Sequence, residues 1–102
     1  MKIIKKLSNM ISEELKDAEK YAKCALNHKD TERTLADVFY TLSTEEMRHV
    51  NMLHTEVVKI IDKYRREHGD PPESMQAVYD YLHEQQLEKA AEIKAKQAMY
   101  KE

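Results

Sequence analysis

The stretch from Leu35 to Ile60 constrains the fold most. Read in alternating steps of four and three, it gives Leu35, Phe39, Leu42, Glu46, His49, Leu53, Glu56 and Ile60. That rhythm is the seam of a packed helix, and neither Gly nor Pro interrupts it. Three apolar residues lead the seam in, and then a carboxylate and an imidazole break it. These two stand three residues apart, as Glu46-Met47-Arg48-His49, one turn of the same face. Burying an ionised group without a partner costs roughly several kcal/mol. A seam carrying this pair therefore needs compensation. A metal ion would supply it, and so would a hydrogen-bonded polar layer that fixes register and oligomer state.

The preceding stretch has the same rhythm. Ile4, Leu7, Ile11, Glu14, Ala18, Tyr21, Ala25 and His28 form a seam in which one carboxylate again replaces an apolar residue. This predicts a first helix over 2–27. The segment His28 to Thr31 ends it, with Asp30 or Thr31 placed to cap a second helix over 32–67. His68, Gly69 and Pro71-Pro72 stop that helix. The same residues start a third over 72–100, with Asp70 as N-cap, Pro71 at the first helical position and Glu73 closing a capping box. Apolar positions of the third helix, Met75, Val78, Tyr79, Leu82, Ala90, Ile93 and Tyr100, are sparser. The expected fold is all-α: one domain over residues 1–102, built on a long antiparallel hairpin.

Composition narrows the class. The 102 residues include one Gly and two Pro, and 35% are charged, which is the make-up of long exposed helices. A mean hydropathy of -0.81 implies narrow apolar stripes, so part of the burial is expected from a second copy. A formal net charge of -2 gives no nucleic-acid footprint. No run is long enough to span a membrane, and there is no signal-peptide pattern. A single cysteine, Cys24, rules out an internal disulfide and any Cys-x-x-Cys motif, and is read as a small buried hydrophobe. The cytoplasm is the simplest compartment.

Do the polar seam residues meet? If the first turn centres near Asp30, Glu14 and Glu46 are each 16 residues from it. A helix rises about 1.5 Å per residue, so a slip of one or two residues changes little. Glu14, Glu46 and His49 then share one level on facing seams. Three ligands from two helices make half of a carboxylate-bridged dinuclear site. The full set is a Glu from each of two helices and a Glu-x-x-His from each of two more.

Glu14 with Tyr21 seven residues on, followed by Glu46-Met47-Arg48-His49 on the next helix, resembles the ferritin-like superfamily over residues 8–66. Small rubrerythrin-type and two-helix, encapsulated-ferritin-type members are the most similar. The resemblance implies a ferritin-like four-helix bundle completed by dimerisation. It implies Glu14 and Glu46 as carboxylate ligands, His49 as an imidazole ligand and Tyr21 as a nearby redox-related tyrosine. It also implies two iron ions per bundle, with manganese or zinc as possible substitutes. The chemistry would be iron oxidation and handling, or peroxide and oxygen detoxification, that is, a ferroxidase or peroxidase-like activity.

The chain departs from that pattern in lacking a second Glu-x-x-His and the cysteine-rich iron module of rubrerythrins. Either two hairpins pair to complete the site, or helix three adds a ligand. Folding helix three back about residues 70–71 brings Glu92 near the level of His49, which makes Glu92 the third-helix candidate and Glu88 the next. Glu56, on the seam, is read as a snorkelling or partner-facing acid, and His54, His83 and Glu84 are most simply solvated. The competing reading is a metal-free helical oligomerisation module whose polar seam only sets pairing.

Overall fold

The computed structural model describes all residues, Met1–Glu102. It is all-helical: α1 spans Lys2–His28, α2 spans Arg33–His68 and α3 spans Glu73–Lys101. The result is a rod of 55 × 19 × 18 Å. The expected helices lie within a residue or so of these bounds, but the caps differ. Glu32 and Pro72, rather than Asp30 or Thr31 and Asp70, precede α2 and α3, and neither helix has a side-chain cap. The tandem prolines explain the second difference. A residue before proline is steered out of the helical region, so Pro71 cannot open α3. Pro72 takes an extended ψ of 146° and the helix starts at Glu73. Gly69 ends α2 at φ 79°, with nothing within 4 Å of where a Cβ would stand. It is needed for its backbone angle, not for space.

α1 and α2 form the antiparallel hairpin, and α3 lies along one side of it. Small residues let the first two helices approach closely: Ala18, Ala22, Ala25, Ala36 and Ser43 are all buried. Ser43 Oγ donates to the carbonyl of Ala18 at 2.7 Å and accepts from Gln97 Nε2 at 2.9 Å. One hydroxyl thus ties all three helices. The main core gathers Ile11, Leu15 and Ala18 of α1, Met47 and Val50 of α2, and Ile93 of α3. A second, at the closed end of the hairpin, holds Ala25, Ala36 and Tyr100.

The position of α3 shifts the buried line. On α1 the expected positions Ile4, Ile11, Ala18 and Ala25 are buried, but the flanking pair Leu15 and Ala22 are buried as well. On α2 the buried residues are Ala36, Ser43, Met47 and Val50, one residue over from the expected seam. A helix with two neighbours buries the sector that faces both. The seam through Leu35, Leu42, Glu46 and His49 therefore borders α1 only, and its outer side is open.

Contacts of α3 are mixed in polarity. Met75, Tyr79, Leu82, Gln86, Ala90, Ile93, Gln97 and Tyr100 follow the four-three step and are all buried or half-buried. Their polar members are paired across the interface: Gln86 Nε2 donates to Ser8 Oγ at 3.1 Å and Gln97 to Ser43. Lys89 reaches Glu19 at 3.3 Å, and Lys96 lies 3.8 Å from it. Burial would raise the Glu19 carboxyl, but Lys89 and Lys23 outweigh it and hold the group below the ordinary carboxylate range. At the C-terminal end the Tyr100 hydroxyl donates to Asp37 and its ring stacks on Tyr40, with centroids 5.1 Å apart. That hydrogen bond, with Arg33, holds the Asp37 carboxyl below its usual range.

Two outcomes test this packing. Ile93→Ala empties the centre of a thin core and should cost about 2–5 kcal/mol in urea unfolding. The Asp37–Tyr100 contribution is present above the ordinary aspartate range and is lost as pH falls through the lowered value. Tyr100→Phe should therefore lower stability in the neutral region and flatten the acid limb of a stability-versus-pH curve, so that parent and variant converge at low pH.

Candidate metal centre

The register of the hairpin brings Glu14, Glu46 and His49 together. One ligand atom from each lies within 4.8 Å of the others. His49 Nδ1 is 3.6 Å from Glu14 Oε2 and 3.7 Å from Glu46 Oε2. Both separations exceed a good hydrogen bond. They do fit a bridging ion: two ligands each about 2.1 Å from one ion stand at most about 4.2 Å apart.

Burial is graded across the three. The Glu46 side chain is 18% exposed, Glu14 is 29% and His49 is 44%. Glu46 Oε2 is itself buried and has no hydrogen-bond partner. An orphaned carboxylate oxygen beside a second carboxylate is doubly unfavourable, because it is desolvated and it faces like charge. A cation placed between them, an imidazolium or a metal ion, removes both costs. The donor set, two carboxylates and one imidazole without thiolate, fits a hard or borderline metal.

The other expected site residues lie apart from this group. The Tyr21 ring stacks on Phe39, with centroids 6.4 Å apart, and Lys20 Nζ lies over the Tyr21 ring at 5.1 Å from its centroid. It is on the same face of α1, about two turns from Glu14. Glu92 is exposed and pairs with Lys89 at 3.4 Å, so the structure does not bring it to the other three. At that level α3 turns Ile93, not Glu92, toward the hairpin. Glu56 pairs with Lys59 at 3.2 Å on the surface.

Apolar residues continue the open face on both sides of the centre. Ile3, Leu7 and Met10 lie eleven, seven and four residues before Glu14. Leu35, Phe39 and Leu42 lie at the same offsets before Glu46. These offsets return to one helix face. Ile3, Met10, Leu35 and the neighbouring Val38 are exposed, Val38 at 51%.

Two histidines read as solvated prove to be in contact. His54 and His83 stack with ring centroids 5.0 Å apart. The sequence carries the signal, since the two lie 15 and 14 residues from Gly69 on either side.

Replacing the orphaned carboxylate tests its cost. Glu46→Leu should stabilise the metal-free protein by about 1–3 kcal/mol in urea unfolding. A destabilised variant would mean that the carboxylate is satisfied in the fold.

Comparison with family models, with curated proteins and with solved structures returns no match to this chain.

Proposed function

We propose that this chain is a metal-binding helical protein of the di-iron carboxylate kind, with Glu14, Glu46 and His49 as its ligands. Its role would lie in iron oxidation and handling, or in removal of peroxide and oxygen. The observation that carries this reading is the buried, unpartnered Glu46 Oε2, set beside a second carboxylate and an imidazole nitrogen. A carboxylate and imidazole set suits iron or manganese and admits zinc. A bound iron would supply redox chemistry toward dioxygen or peroxide. The chain's own groups would position it: Glu14 and Glu46 balance its charge, and His49 holds it from the more exposed side. Tyr21 offers an oxidisable ring on the same face of α1.

The reading includes a homodimer. Three protein ligands are half of a dinuclear set, and the flanking apolar residues are exposed on the same face as the ligands. A second copy related by a two-fold axis would bury both together and give six ligands for two ions. No helix is long and apolar enough to cross a membrane, and the free Cys24 thiol suits a reducing, cytoplasmic setting. The exposed apolar residues alone would equally favour a metal-free pairing module, which the following experiment separates.

Anaerobic Fe(II) is added to the metal-free parent, Glu46→Ala and His49→Ala, and bound iron and sedimentation are followed together. Exposure to oxygen with absorbance detection comes next. The expected outcome is two irons per dimer in the parent, at least tenfold weaker binding in each variant, and unchanged helical circular dichroism. Variants that bind iron like the parent would overturn the metal reading. Dimers of parent and variants alike that take up no iron would establish the pairing module instead.

A further inference from the structure

A second group of ionisable residues lies away from the metal centre. The start of α1, the C-terminal half of α2 and the N-terminal half of α3 enclose a groove of about 860 Å³. Its walls are largely apolar, with Ile4, Val57, Ile61, Met75, Tyr79 and Leu82 among them. His54 of α2 and His83 of α3 line the same groove and meet face to face across it, with centroids 5.0 Å apart and ring planes 16° from parallel. His54 is half-buried and His83 is exposed. Neither imidazole takes part in any of the molecule's hydrogen bonds or ion pairs, so ring-on-ring stacking is what joins them.

We infer that the His54–His83 stack is an acid-released latch that holds the first half of α3 against α2.

The charges around the pair give it no shelter. The groove is lined from α1 by the Met1 amino group and Lys5, from α2 by Asp62 and Arg65, and from α3 by Asp80. Three cations therefore face two carboxylates. Several of these groups are engaged: the Met1 amino group donates to the Tyr79 hydroxyl, Arg65 donates to Gln76, and Asp80 accepts from Gln76. Glu84, beside His83, is exposed and lies outside the groove. Glu56, near His54 on α2, pairs with Lys59. No carboxylate is paired with either ring, so nothing nearby rewards a second proton.

Two neutral imidazoles can share a stacked contact. Two imidazoliums at that separation repel, and the half-buried site screens them less than open water does. Burial, and then the charge of His83, hold His54 below the ordinary histidine range. The closed arrangement thus favours the neutral form. Its advantage is complete above the ordinary value of about 6.5 and shrinks as pH falls below that toward the lowered value. The remainder of α3 is anchored independently, by Ile93 in the main core, Gln97 on Ser43 and Tyr100 on Asp37. Acid should therefore loosen the first half of α3 selectively and uncover the apolar wall of the groove. None of this depends on the metal reading, since His54 and His83 lie outside the Glu14–Glu46–His49 group.

The test is amide hydrogen exchange by NMR on the metal-free protein, corrected for intrinsic rates, from pH 7.5 to 5.0. Titration of the imidazole C–H resonances runs alongside. Protection over residues 75–86 should fall at least tenfold more than over 93–100, with midpoints that follow the imidazole titrations. The His54→Phe/His83→Phe protein keeps a stack that cannot charge and should lose that differential. His83→Phe alone, a smaller change to the fold, should reduce it. A fall shared equally by both segments would overturn the latch, and so would no fall at all. Midpoints unrelated to the histidines, or the same differential in the Phe variants, would also overturn it.

Discussion

The arrangement of the whole molecule rests on how closely α1 and α2 lie, and Ser43 is where that closeness is fixed. Its hydroxyl is buried between a carbonyl of α1 and a side-chain amide of α3. Larger residues at Ala18, Ala22, Ala25 or Ala36 would force the hairpin apart, because all four side chains are buried. The hydroxyl adds direction to that proximity. Sliding α2 by one residue would remove Ser43 from the Ala18 carbonyl and leave Gln97 without an acceptor inside the bundle. Glu46 stands one turn after Ser43, and Glu14 one turn before Ala18. The contact that sets the register is therefore the contact that aligns the carboxylates.

Placing α3 on one side only gives the hairpin two different faces. On the covered side Leu15, Met47, Val50 and Ile93 interlock without a polar atom. On the open side the same two helices present Glu14, Glu46 and His49 between apolar neighbours. Structural self-consistency is satisfied on the first face and broken on the second: a carboxylate oxygen is orphaned and aliphatic side chains meet water. Such local conflict in an otherwise consistent fold is where function is expected.

Much of this was legible in the sequence, for reasons that can be assigned. A four-three rhythm without Gly or Pro admits only helices, and the Gly69-to-Pro72 segment admits only a turn. Reflection about Asp30 placed Glu14 level with Glu46 because helical rise is uniform. The same reflection about residues 70–71 gave Glu92 the right level but not the right face. Level depends on chain length alone, whereas face depends on how α3 rotates about its axis, and α3 has no broad apolar stripe to announce that rotation. The one-residue displacement of the α2 seam has a related origin. Periodicity reports a face, but the number of neighbours decides which edge of that face is deepest. Ser43 and Gln97 left no trace, since a single buried hydroxyl and its amide partner have no period. His54 and His83 come level about Gly69 but not about residues 70–71, and their residue types alone read as surface.

The polar lining of α3 also gives the bundle an uneven thermal character. Exposing apolar surface raises heat capacity and exposing polar surface lowers it. Releasing the part of α3 that carries Gln86, Lys89 and Gln97 would expose amides and an ammonium group along with Ala90 and Ile93, so the polar exposure offsets some of the apolar contribution. Separating α1 from α2 exposes Ile11, Leu15, Met47 and Val50 with little to offset them. More of the curvature of stability with temperature therefore belongs to the hairpin than to the mixed interface of the third helix. On cooling, apolar contacts weaken, while the hydrogen bonds that Gln86 and Gln97 make across the bundle keep their strength.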